Sequence, residues 1–167
     1  MSEPSQSAHV RIVLADYAVS DQQTKMTVVG GGVNIFGVNT ATGSTAPFAV
    51  WASASFDPAF IGDNPAVELS LENAEGHLVY MPGLADAPPQ ALRVASAEKL
   101  LPTVLKGADI PQSAVRPKTQ ILLQFQNGLP LAAGHRYLWR VKVDGETRPD
   151  WTEVMFVPLA TAGPVVG

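Results

Sequence analysis

The chain has 167 residues, 46% of them hydrophobic and only 16% charged, a composition that fits a globular domain and excludes a disordered one. Eleven Lys and Arg against fifteen Asp and Glu leave a net charge of −4. No window of the sequence is basic enough to neutralise a phosphate backbone, so nucleic acid is not an expected partner. The complete lack of cysteine removes disulfides, thiolate metal sites, thiol nucleophiles and redox switching together.

The opening Met1-Ser2-Glu3-Pro4-Ser5-Gln6-Ser7 is polar and carries no basic region followed by an apolar stretch. No signal peptide is expected from it. Apolar runs elsewhere fall far short of the roughly 18 residues that span a bilayer. The expectation is a soluble chain, cytoplasmic or, if phage-encoded, virion-associated, whose residues 1–8 form a disordered lead.

Patterning starts at His9, where Val10, Ile12 and Leu14 alternate with polar positions and predict a strand. Met26–Val29 and Val33–Val38 are β-branched runs split by Gly30-Gly31-Gly32, which predicts a bulged or sharply bent strand pair. Residues 39–46 have loop composition. Phe48, Val50, Ala52, Ala54 and Phe56 then fall on one strand face, with Ala49, Trp51, Ser53 and Ser55 on the other. Residues 57–65 read as a connection with room for one helical turn. Val67, Leu69 and Leu71 alternate with Glu68, Ser70 and Glu72, predicting a strand with one solvated face. Asn73–Gly76 predicts a turn into a strand over His77–Met81.

Residues 82–117 contain six prolines and read as long loops with a short strand, best placed at Ala91–Ala95, or a helical turn. Regular alternation returns at Gln120–Gln126 and at Tyr137–Val143. Asp144-Gly145 predicts a tight hairpin, and Trp151–Val157 is the returning strand. Residues 158–167 read as a flexible tail. Eight to ten short strands separated by turn signals predict one all-β domain over 9–157, a Greek-key β-sandwich. Leu131 to Tyr137 has the spacing of a tyrosine corner, with an ordinary core tyrosine as the alternative.

The segments Asp16-Tyr17-Ala18, Lys25 to Gly32, Gly134-His135-Arg136-Tyr137 and Val143-Asp144-Gly145-Glu146 resemble a family of uncharacterised bacterial and phage proteins. The likeness extends over most of the chain and is weakest across 82–117. It implies an immunoglobulin-like sandwich and carries over no catalytic or binding residue. Thr24 stands where a glycine usually precedes the lysine.

The candidate chemistries are few. His9, His77 and His135 are widely spaced and lie in no HExxH or HxH pattern. Asp57, Asp63, Asn64 and Asp86 lie in loops but lack the alternating oxygen ligands of a calcium loop. No Gly-x-Ser-x-Gly elbow is present, and Ser44 has no identifiable base. Glu68 and Glu72 lie about 13 Å apart along a strand and read as a solvated face rather than a hydrolytic pair. The Gly30–Gly32 cluster is followed by Val33-Asn34-Ile35-Phe36, not by a helix start or Gly-Lys-Ser/Thr, so it reads as structural rather than phosphate-binding. Tyr137 and Trp139 read as core. Trp51 and Trp151 are the candidate interaction residues, with burial on both sides as their alternative. No catalytic residue, metal or cofactor is predicted.

These features predict a non-catalytic protein-interaction or structural module that binds protein, including copies of itself, with a phage association possible from the resemblance. A domain binding a small ligand or carbohydrate through Trp51 or Trp151 is the second class. A hydrolase is the third, and it would require a Ser/His/Asp or two-carboxylate cluster to assemble from distant strands.

Overall fold

A computed structural model describes residues 2–21, 25–83 and 87–160. In chain order, helix α1 (Glu3–Ser7) precedes strand β1 (His9–Ala15), and β2 (Tyr17–Ser20) pairs with β3 (Met26–Val29) as a hairpin. The short strands β4 (Val38–Asn39) and β5 (Ser44–Thr45) pair with each other, followed by β6 (Phe48–Ser55) and β7 (Val67–Asn73). Next come β8 (Tyr80–Met81), β9 (Gln90–Ala91) and β10 (Arg93–Ser96). The chain closes with β11 (Lys118–Phe125), β12 (His135–Val143) and β13 (Thr152–Val157).

Seven of these strands form two antiparallel sheets, one in the order β1-β6-β11 and the other in the order β10-β7-β12-β13. The chain is mostly β, as its alternating pattern predicts. Consecutive strands change sheets at β6–β7, β10–β11 and β11–β12, while β12 and β13 are hairpin neighbours. The inner face of the first sheet is Leu14, Phe48, Val50, Ala52, Ala54 and Ile121. Against it lie Leu69, Leu71, Trp139, Val141 and Met155 of the second. Each large side chain so buried contributes ~1.5–3 kcal/mol. A run of rings joins the layers: Phe36 to Phe48 at 4.6 Å, Phe48 to Phe125 at 4.9 Å, and Phe125 to Trp139 at 5.8 Å.

Three sequence expectations are corrected. Residues 2–8 are not a disordered lead. Ser2 caps α1 by accepting from the Ser5 N–H, and Ser5 is fully buried with its hydroxyl on the Glu146 carboxylate. Arg148 donates to the carbonyls of Ser5 and Gln6, and Arg116 donates to that of Ser7. The segment is held by side chains from across the fold, which local composition does not reveal.

Gly30–Gly32 forms a turn after β3 rather than a bulge within a strand pair, and Val33–Val38 is not one continuous strand. The turn returns to β1 through Gly32 N–H to Leu14 C=O at 2.9 Å. A Cβ at Gly30, whose φ is +67°, would lie 2.1 Å from Asp16 Oδ2. The Asp16 and Gly30 motifs are therefore packed on each other, and only glycine fits. Beyond the turn, residues 34–36 attach to β13: the Phe36 N–H donates to Phe156 C=O and the Phe156 N–H to Asn34 C=O.

The outer face of β7 is solvated only at Glu68. Ser70 is fully buried and Glu72 is 6% exposed. Glu72 accepts from Arg140 Nε at 2.8 Å, and Glu68 lies between Arg93 at 3.8 Å and Lys142 at 3.9 Å. Both carboxylates are occupied by ion pairs on a sheet face.

In the Pro-rich stretch, β9 and β10 overlap the expected Ala91–Ala95, and residues 97–104 hold no helix. The only helical turn there among the described residues is a 3₁₀ turn at Gln112–Ala114. Asp86 and the tail residues 161–167 lie outside the described residues, so the expectations for them have no counterpart here.

Candidate binding surfaces

Alternation in β6 sends Phe48, Val50, Ala52 and Ala54 into the core and leaves Trp51, Ser53 and Ser55 on the outer face, partly exposed. Antiparallel register then decides their neighbours. Ser55 lies between His9 and Lys118, Ser53 between Arg11 and Gln120, and Trp51 between Val13 and Leu122. The β2–β3 hairpin covers the other end of this face, where Ala18 is fully buried and its carbonyl accepts from Gln124. The end bearing Ser53 and Ser55 is left open as a groove of about 570 Å³.

Trp51 does not lie free over this floor. Its Nε1 donates to Gln120 Oε1 at 2.9 Å, one register row away, which fixes the indole across the sheet. The groove is lined by four permanent cations, Arg11, Arg116, Lys118 and Arg148, against a single carboxylate, Asp150. Arg116 and Arg148 are held by backbone carbonyls, which orient the guanidiniums and leave their charge uncancelled. Arg11 and Lys118 make no ion pair or side-chain hydrogen bond among the described residues.

Trp151 takes a different place from Trp51. It is 1% exposed, part of the hydrophobic core, and covered by the Arg148 guanidinium 4.9 Å from its ring centre. It bounds the back of the groove yet offers a partner almost no surface, which overturns its expected role as an interaction residue. Burial, the alternative reading for this residue, is what the structure shows, with Arg148 as part of the cover. Tyr137 and Trp139 are buried, and the Tyr137 hydroxyl donates to Ala132 C=O at 3.2 Å, the bond of a tyrosine corner.

A second surface lies in the Pro-rich stretch. Leu100 is buried and exchanges backbone hydrogen bonds with Gly62 and Asp63, which anchors one end. The other end is fixed where Pro117 C=O accepts from the Phe56 N–H at 2.9 Å. Between these anchors the chain turns outward, and Leu101, Val104 and Leu105 are 67, 89 and 63% exposed. Sequence reading identified this stretch as unusual without assigning these three side chains.

Among the described residues no three His, Asp or Glu side chains come close enough to hold a metal ion. Among them too, no helix is long and apolar enough to cross a membrane. Compared with protein-family models, curated proteins and solved structures, the chain matches none of them.

Proposed function

We propose that this protein is a non-catalytic interaction module that binds protein, including a second copy of itself, through the loop carrying Leu101, Val104 and Leu105. The carrying observation is the exposure of these three large apolar side chains within a loop, 101–116, that is anchored to the fold at Leu100 and Pro117. Burying such a cluster is favourable at about 25 cal/mol per Å² of apolar surface, and an anchored loop loses less entropy on docking than a free one. Large exposed apolar patches mark interaction surfaces, and three large apolar side chains within five residues supply such surface here.

The strand order β1-β6-β11 against β10-β7-β12-β13, with the Tyr137–Ala132 bond, supports an immunoglobulin-like Greek key as the scaffold. The resemblance carried by Asp16–Ala18 and Gly30–Gly32 supports a bacterial or phage accessory role for such a module.

Light scattering over a concentration series tests the proposal. A dimer or larger assembly that reverts to monomer in the double variant Val104→Asp/Leu105→Asp is the expected result. A chain that stays monomeric at every concentration removes self-association, and an assembly unaffected by the double variant removes the loop as its interface.

A further inference from the structure

The groove beside Trp51 is independent of the apolar loop and has a different chemistry. The whole chain is acidic, with eleven Lys and Arg against fifteen Asp and Glu, yet this concavity gathers four permanent cations and one carboxylate. A cluster of like charges costs free energy through mutual repulsion, and the single carboxylate of Asp150 offsets only part of it. Arg148 and Arg116 are positioned by the carbonyls of Ser5, Gln6 and Ser7, so the N-terminal helical segment sets the groove's charge geometry. Arg116 Nε is also buried without a hydrogen-bond partner among the described residues.

We infer that this groove is a binding site for a short anionic saccharide, one whose rings carry carboxylate or sulfate groups. Charge complementarity requires an anion. The rest of the site narrows the class. Trp51 presents a flat apolar ring, fixed by Gln120, beside the hydroxyls of Ser53 and Ser55 on the groove floor. A sugar ring has an apolar face to lay on an indole and a rim of hydroxyls to exchange hydrogen bonds with serine side chains. Arg11 and Lys118, on the strands flanking β6, have no ion pair among the described residues and face the groove to take the anionic substituents at either side. The guanidinium of Arg11 suits a bidentate carboxylate or sulfate, and Lys118 supplies a point charge.

Size argues in the same direction. A groove of about 570 Å³ falls within the ~300–1,000 Å³ typical of small-molecule sites. The hairpin over Ala49 and Gln124 bounds the open floor at one end, so a short oligomer fits better than a long extended polymer. Fixed cations and a fixed indole also reduce the ordering cost of binding.

Calorimetric titration of the full chain with trigalacturonate, and with the neutral galactose trimer of the same linkage, tests the inference at low salt and at 0.5 M NaCl. Trigalacturonate is expected to bind at least tenfold more tightly than the neutral trimer and to weaken at high salt. Arg11→Ala/Lys118→Ala and, separately, Trp51→Ala should each weaken it at least tenfold while circular dichroism shows an unchanged fold. Should Trp51→Ala disturb the fold, Trp51→Phe retains a ring and should lose less affinity than the double charge variant. Equal binding of the neutral and anionic trimers overturns the role of charge. Inorganic sulfate binding as tightly as the trimer overturns the role of Trp51 and the sugar rings. Tighter binding of a poly-glutamate peptide overturns the saccharide in favour of an acidic protein, and no binding of the trimer overturns the site. None of these outcomes depends on whether Val104 and Leu105 mediate assembly.

Discussion

Arg140 on β12 donates from Nε to Glu72 on β7 at 2.8 Å, and the pair lies on the outer face of the four-stranded sheet with the carboxylate side chain only 7% exposed. Strand register sets Arg140 opposite Ser70 and Glu72 opposite Leu138, so the bond runs diagonally between adjacent strands. Two charges withdrawn from water in this way are stable only as a pair.

Removing one partner therefore costs more than the pair's own attraction. Glu72→Ala is expected to destabilise the fold by ~2–3 kcal/mol, between the exposed and fully buried limits. Replacing both residues, Glu72→Leu with Arg140→Met, should recover most of that loss. Urea unfolding of the single and double variants checks this, and a double variant no more stable than the single one would refute it.

The Tyr137 corner supplies a second test. Tyr137→Phe keeps the ring in the core and removes only the bond to Ala132, an expected loss of about 1 kcal/mol. Burial raises the Tyr137 pKa above its ordinary value. A folded pKa above the unfolded one leaves the full contribution in place below pH about 10, and it declines as pH rises through the folded pKa. Wild type and Tyr137→Phe should therefore converge in stability at strongly alkaline pH, which thermal melts across that range would read.

Glu146 behaves in the opposite sense. Hydrogen bonds from the Ser5 hydroxyl hold its pKa below the usual carboxylate range, with the Ser2 N–H adding to the effect. Its contribution is present above the unfolded-state pKa and is lost as pH falls through the depressed folded value. Protection of the α1 amides against hydrogen exchange should drop at acid pH, and Glu146→Gln should show the lowered protection already at neutral pH. Equal protection in both proteins would remove the Glu146 clamp from the account.

How far the sequence revealed these features depended on whether a residue's environment is set locally or by distant chain. The β6 alternation separated Phe48, Val50, Ala52 and Ala54 from Trp51, Ser53 and Ser55, and both faces are where that period puts them. Tyr137 and Trp139 were legible for the same reason. Glu72 and Ser5 were not, since they are buried against Arg140 and Glu146, each far away along the chain, and Trp151 lies under Arg148 just outside the alternating span of β13. The basic groove was hidden likewise: Arg11, Lys118 and Arg148 look scattered until register and the N-terminal segment gather them.

Asn73–Gly76 and Asp144-Gly145 look alike in the sequence, two polar turns closing on glycine. The first carries only its own hairpin: Asn73 Oδ1 accepts from the N–H groups of Glu75 and His77. Asp144 holds three parts of the chain. It sits at φ +50° ahead of Gly145, its N–H and Oδ1 bind the Ala66 backbone, and its Oδ2 accepts from the Ser2 hydroxyl. Loop tips are usually where a new chain end or an inserted domain is tolerated. In this molecule that freedom belongs to the 74–76 turn, whereas opening the backbone at 144–145 would disturb contacts to the β6–β7 connection and to the N-terminal segment in a single cut.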